Sequence, residues 1–252
     1  MRTARIRRLS MPSEPQVRVL PSKEYLFRAA AEQFFKIGSQ AIKRNGRFTV
    51  ALSGGSTPRG LHAELVANYP SKLAWNKVFF FWGDERHVPP DFPESNFRMA
   101  DETLLSKLNI PAANIRRMRG ELPDADQAAR EYETGLRSFF GSDKASPAFD
   151  FILLGLGGDG HTASLFPGTK ALEEKQRWVV GNWVEQHSTF RITFTYPVLN
   201  HAANVMFLVE GAGKAEIVRR ALKDANANLP CQKVRPAGEL TWYLDQSAAA
   251  KL

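Results

Sequence analysis

Short apolar runs alternate along this chain with longer stretches of mixed polarity. Phe48–Leu52, Val78–Trp82, Phe149–Leu154 and Asn204–Val209 are too apolar to lie at a surface and predict buried strands. Helices are predicted between them. The first runs from Ser22 to about Arg44, with Glu24 in its first turn and Asn45-Gly46 as its stop. Others extend from the 53–58 turn to about Asn68, over Glu94–Leu108, over Asp124–Phe140 and from Lys214 to about Lys223. Val17–Leu20, Trp178–Val184, Arg191–Thr195 and Leu240–Leu244 read as further strands, the last before a short Ala-rich helix. This alternation predicts a three-layer α/β/α arrangement, with a mostly parallel sheet covered on both faces. Crossover handedness then places successive strand ends along one edge of the sheet. No repeat, low-complexity block or long linker divides the chain. Residues 16–252 are therefore expected to form a single α/β domain, and residues 1–15 a basic, disordered tail.

Composition narrows the function. The net charge is +8, and four arginines with no acid fall in the first ten residues, so half of the excess belongs to the tail. Such a tail suits nucleic acid or an organelle address, but one short extension carries little information, and neither a nucleic-acid partner nor a membrane is expected. The modest positive bias of the body suits an anionic small substrate. No stretch approaches the ~20 apolar residues of a membrane span. The single cysteine, Cys231, excludes an internal disulfide framework and a cysteine-built metal site, which makes a reducing cytoplasm the default.

Three strand ends carry chemistry. Ser53-Gly-Gly-Ser-Thr-Pro58 joins a strand to a helix, and Pro58 falls in the helix's first turn. Ser53, Gly54, Gly55, Ser56 and Thr57 present amides and hydroxyls where the helix favours an anion, which makes a phosphate cradle; a simple capping turn uses the same residues. Neither a Walker loop nor a dinucleotide fingerprint is present. Asp84-Glu-Arg-His87 follows the next strand and reads as a charged strand-end loop. Arg86 suits phosphate binding or oxyanion stabilisation, and Asp84 suits orienting a base or holding a sugar hydroxyl. Local ion pairing is the plainer alternative. The richest segment is Gly155-Leu-Gly-Gly-Asp-Gly-His161, with an acid and an imidazole two residues apart in a glycine-rich loop. His161 is the general-base candidate, and Asp159 either fixes its tautomer or contacts substrate. No second histidine stands at ligand spacing, so no metal is expected. Arg191 and Lys214 are further cations. A lysine at a helix N-terminus is unfavourable unless an anion compensates, though each is also an ordinary surface charge when taken alone.

Several of these motifs, in the same order, resemble the glucosamine-6-phosphate isomerase/6-phosphogluconolactonase family. They are Ser53–Pro58, Asp84-Glu-Arg86 with Val88-Pro89 and Ser95-Asn96, Gly157–Pro167, Arg191–Asn200, Gly211–Ala215, and the tail pieces Leu229-Pro230, Arg235-Pro236 and Trp242–Asp245. The resemblance runs from about Val17 to the C-terminus. It implies the Rossmann-like fold of glucosamine-6-phosphate deaminase and a cofactor-independent, cytoplasmic enzyme. The reaction implied is hydrolysis of 6-phospho-D-glucono-1,5-lactone, the second step of the oxidative pentose phosphate pathway. It further implies His161 as the base, phosphate binding by Ser53–Thr57, Arg191 and Lys214, substrate contact at Gly158, and a substrate-binding or charge-stabilising Arg86. A monomer is expected in preference to a homodimer. Two alternatives share the fold. A deaminase is expected to carry a further acid after the His, where this chain has Ala163-Ser-Leu-Phe-Pro167. A non-catalytic sugar-phosphate sensor needs a DNA-binding segment, for which the basic tail is too short. The Gly-x-Ser-x-Gly signature of a serine nucleophile is missing.

Overall fold

The computed structural model describes residues 14–143 and 145–252. Residues 1–13 of the expected basic tail lie outside the described residues. Six parallel strands form the main sheet: β1 (Gln16–Leu20), β2 (Phe48–Leu52), β3 (Val78–Trp82), β5 (Phe151–Leu154), β8 (Asn204–Val209) and β9 (Glu239–Asp245). Their order is β1-β9-β8-β5-β2-β3, and every neighbouring pair is parallel. From β2 the chain moves outward to β3 and then crosses to β5 on the other side. The order therefore reverses between β2 and β5, and a crevice opens outside the carboxyl ends of strands at such a point.

Strand alternation covers both faces of the sheet. Phe48 and Phe151 meet Phe34 of helix α1 (Lys23–Asn45) edge-on, and Phe80 stacks with Trp75 on that face. Phe79 and Phe81 point the opposite way, against Phe139 of α4 (Ala125–Phe140). This is the α/β/α layering expected from sequence. Helix α1 begins after the extended Ser22 and stops at Gly46, whose left-handed backbone (φ 73°) lets its N–H donate to the Ile42 carbonyl. The buried Asp150 joins the starts of two strands, its Oδ2 accepting from the Thr49 amide at 2.9 Å and the Thr49 hydroxyl at 2.8 Å. No helix among the described residues is long and apolar enough to cross a membrane.

Three expectations change. Asp84–Arg86 is not a loop but a strand, β4, in a second, antiparallel sheet of order β4-β7-β6 with β6 (Val179–Val184) and β7 (Thr189–Phe194). Gly83 joins the two sheets, donating to the Leu52 carbonyl and accepting from the Phe194 amide. The helix predicted over Glu94–Leu108 shortens to α3 (Asn96–Thr103), because Ser95 caps it and the Glu85 carboxylate accepts from the Asn96 and Phe97 amides. The Ala-rich C-terminus forms turns, since so short a stretch cannot meet the cost of helix nucleation. The remaining α-helices among the described residues are α2 (Ser56–Asn68), α5 (Tyr196–Leu199) and α6 (Ala215–Lys223).

Candidate active site

A cavity of about 320 Å³ lies at the β2/β5 crevice. The loop after β2 forms one wall with Ser53, Gly54, Gly55, Ser56 and Thr57. Gly55 precedes α2 and has no side chain with which to cap it, so the first amides of that helix are left for a ligand. The Ser53 hydroxyl is buried and has no hydrogen-bond partner among the described residues. An orphaned buried hydroxyl costs about 1–3 kcal/mol, which a bound anion would relieve.

The loop after β5 forms the facing wall, where Gly158 and His161 line the cavity. Gly157 approaches the imidazole so closely that a Cβ there would fall 2.1 Å from His161 Nδ1. Asp159 stands behind the ring rather than on the cavity wall. Its Oδ1 accepts from His161 Nδ1 at 2.6 Å and from the His161 amide at 3.1 Å. The proton therefore sits on Nδ1, and Nε2, which has no protein partner among the described residues, is the free base. Phe166 stacks on the ring at 3.9 Å between centroids. Burial pushes the imidazole below its ordinary value, against the opposing pull of Asp159. Burial alone would raise the Asp159 carboxyl, but the His161 amide, the His161 charge and Gln186 together hold it below the usual carboxylate range.

Cations come from two directions. Lys214, the residue preceding α6, lines the cavity and donates from Nζ to the Leu156 carbonyl at 2.7 Å. Arg86 also lines the cavity, whereas Arg191 is not among the lining residues. The two arginines are directly opposite each other in the β4–β7 register, which puts both guanidiniums on one face. Neither has a carboxylate within ion-pair distance among the described residues. Burial, and then the charge of Arg86, hold Arg191 below the ordinary guanidinium value. Two facing cations with no ion-paired carboxylate among the described residues make a site for an anion.

The surrounding polar groups fix this geometry. Asp84 lines the cavity, and its Oδ2 accepts from the buried Ser164 hydroxyl at 2.6 Å. That serine is buried and is not among the residues lining the cavity. Sequence reasoning gave Glu85 little weight. It is buried, and burial lifts its carboxyl to about 7 against the amides of Asn96, Arg86 and Phe97. Asn96, unassigned from sequence, donates from Nδ2 to the Asp84 carbonyl at 2.9 Å and lines the cavity. The Ser95-Asn96 pair was visible only as part of the family motif, inside the helix predicted over Glu94–Leu108, and the fold carries it to Asp84. Glu210, at the end of β8, also lines the cavity and carried no sequence signal beyond its strand-end position. His87 is structural, with Nε2 2.6 Å from the Leu122 carbonyl.

Comparison with known proteins places the chain in a family. The profile of the family described as glucosamine-6-phosphate isomerases/6-phosphogluconolactonase matches residues 21–242. A 6-phosphogluconolactonase from Nostoc sp. is 42% identical over 240 residues, covering 94% of this chain and 98% of that protein. One from Synechocystis sp. is 44% identical over 242 residues, with the same two coverages. The solved structure of 6-phosphogluconolactonase from Trypanosoma cruzi superposes with a TM-score of 0.86 at 31% identity, over 96% of this chain and 98% of that one. The chain belongs to the glucosamine-6-phosphate isomerase/6-phosphogluconolactonase family.

Proposed function

We propose that this protein hydrolyses 6-phospho-D-glucono-1,5-lactone to 6-phospho-D-gluconate by general-base activation of water. The observation that carries the mechanism is the oriented imidazole of His161, held 2.6 Å from Asp159 on a cavity whose other wall is an uncapped helix N-terminus with an orphaned serine hydroxyl. The substrate phosphate docks on the Ser53–Thr57 loop, with Arg86, Arg191 and Lys214 supplying positive charge. The lactone carbonyl then faces His161. Nε2 takes a proton from water as the oxygen attacks C1, and the tetrahedral oxyanion collapses with the ring oxygen leaving. The proton on Nε2 passes to that oxygen. General-base action of this kind typically contributes 10²–10⁴-fold.

A lactone needs no nucleophilic serine, in keeping with the burial of Ser164 away from the cavity. The loop after His161 offers Thr162, Ala163 and Ser164, and no carboxylate for the ring opening that a deaminase performs. A soluble sugar phosphate as substrate suits the cytoplasm. The test is acid release from freshly generated lactone, measured against the spontaneous rate, for wild type and His161→Ala. Rapid turnover by wild type with near-background rates for the variant is expected. No acceleration by wild type would overturn the reading, and glucosamine-6-phosphate would be assayed next.

A further inference from the structure

Asp159 has a second oxygen, and what holds it comes from a part of the chain that no motif singles out. The 3₁₀ turn Glu185–His187 lies between β6 and β7, and Gln186 in it donates from Nε2 to Asp159 Oδ2 at 3.2 Å. The carboxylate is thus bound on both sides, by His161 on Oδ1 and by Gln186 on Oδ2. A carboxylate held through one oxygen can rotate about its terminal torsion, which is broad and soft. Held through both, it keeps its plane aligned with the imidazole N–H.

The same hairpin touches the base loop along its length. His187 meets Phe166 edge-on at 5.5 Å, and Phe166 is the ring stacked on His161. Asn182 donates to the Ser164 carbonyl at 2.9 Å, and the Thr193 hydroxyl accepts from the Ser164 amide at 3.1 Å. The turn is itself braced, with Trp183 Nε1 donating to Glu185 Oε2 at 2.6 Å. The hairpin tip therefore reaches both supports of the imidazole, the hydrogen-bonded carboxylate and the stacked ring.

We propose that Gln186 is a positioning residue for the reaction, holding Asp159 in the orientation that presents His161 Nε2 to the cavity. The inference rests on His161 being the base. Gln186 is exposed, so its replacement spares the core. The charges facing His161 are Asp159 on its own loop, Asp84 of β4 and Lys214 before α6. The variants Gln186→Ala and Gln186→Glu are compared with wild type and His161→Ala for kcat, KM and the pH dependence of kcat, with Tm as the folding control. Gln186→Ala is expected to lower kcat about fivefold, the worth of one net hydrogen bond, with KM within about twofold. Gln186→Glu sets a second carboxylate against Asp159, stabilises the imidazolium, and is expected to move the acid limb of kcat to higher pH. A silent His161→Ala with both Gln186 variants unchanged in kcat and acid limb would overturn this inference alone. An active His161→Ala would overturn the base assignment and the inference with it.

Discussion

The two sheets divide the work of the site. The six-stranded sheet is built from apolar runs, and β2 and β5 are buried at every position. Its contribution is to place loop backbones: the uncapped start of α2, the glycine-rich turn before His161, and Lys214. The three-stranded sheet is polar at this end, with Asp84, Glu85 and Arg86 on β4 and Arg191 and Thr193 on β7, and Asp84 and Arg86 line the cavity. Its contribution is to deliver charged side chains over the carboxyl edge of the larger sheet. The parallel sheet thus provides the frame and the base, and the antiparallel one provides much of the charge. This division predicts that substitutions on the two sheets separate kinetically.

The largest effect belongs to the base. His161→Ala is expected to lower kcat by about 10²–10⁴-fold, with KM changed little, since the imidazole acts on the water rather than on the phosphate. Steady-state kinetics on freshly generated lactone checks this. A loss expressed in KM would move His161 from the chemistry to binding and blur the division between the sheets.

The difference between the sheets also explains what was legible. Runs such as Phe48–Leu52 and Val78–Trp82 announce buried parallel strands, because nothing else buries so much apolar surface in so few residues. The Gly-rich loops were legible for the same reason, as interruptions of those runs. Asp84-Glu-Arg86 was read as a loop because three consecutive charges contradict any strand pattern. In the structure the segment pairs with β7, and Glu85 is turned inward onto the Asn96 and Phe97 amides. Those partners are 11 and 12 residues away, and no local spacing encodes them. Gln186 lies 27 residues from Asp159 in sequence and was invisible for that reason. The pairing of Arg86 with Arg191 needs the β4–β7 register, which the sequence leaves open.

That pairing yields the next effect in size. Arg86→Ala and Arg191→Ala should each raise KM by roughly 10–100-fold, the range expected for one charged hydrogen bond to a phosphate, with a smaller change in kcat. The double variant tests whether they share one anion: its loss should depart from the sum of the single losses, as contacts to a common ligand do. Arg86→Ala that lowered kcat at unchanged KM would instead place Arg86 at the oxyanion. On the other sheet's edge, Lys214→Ala should raise KM by about tenfold, because its ammonium is already shared with the Leu156 carbonyl. Inorganic phosphate as a competitive inhibitor gives an independent reading, since it should weaken against all three variants.

The smallest effect is the sharpest test of the comparison, because one charge from each sheet, Asp84 and Lys214, acts on the base with opposite sign. Burial holds His161 below the ordinary imidazole value, so its neutral, proton-accepting form persists to lower pH than for a free histidine. Activity should therefore be flat from about pH 7 to 8 and fall as pH drops through a value below ~6.5, where the imidazolium can no longer take a proton. Asp84, from the antiparallel sheet, favours the imidazolium, while Lys214, from the edge of the parallel sheet, disfavours it. Asp84→Asn should shift the acid limb of kcat to lower pH, and Lys214→Ala should shift it to higher pH. Profiles measured at saturating substrate for the three proteins decide it. Shifts in the same direction would mean that both variants act by loosening the loop rather than by removing a charge, and the electrostatic half of the division between the sheets would fall.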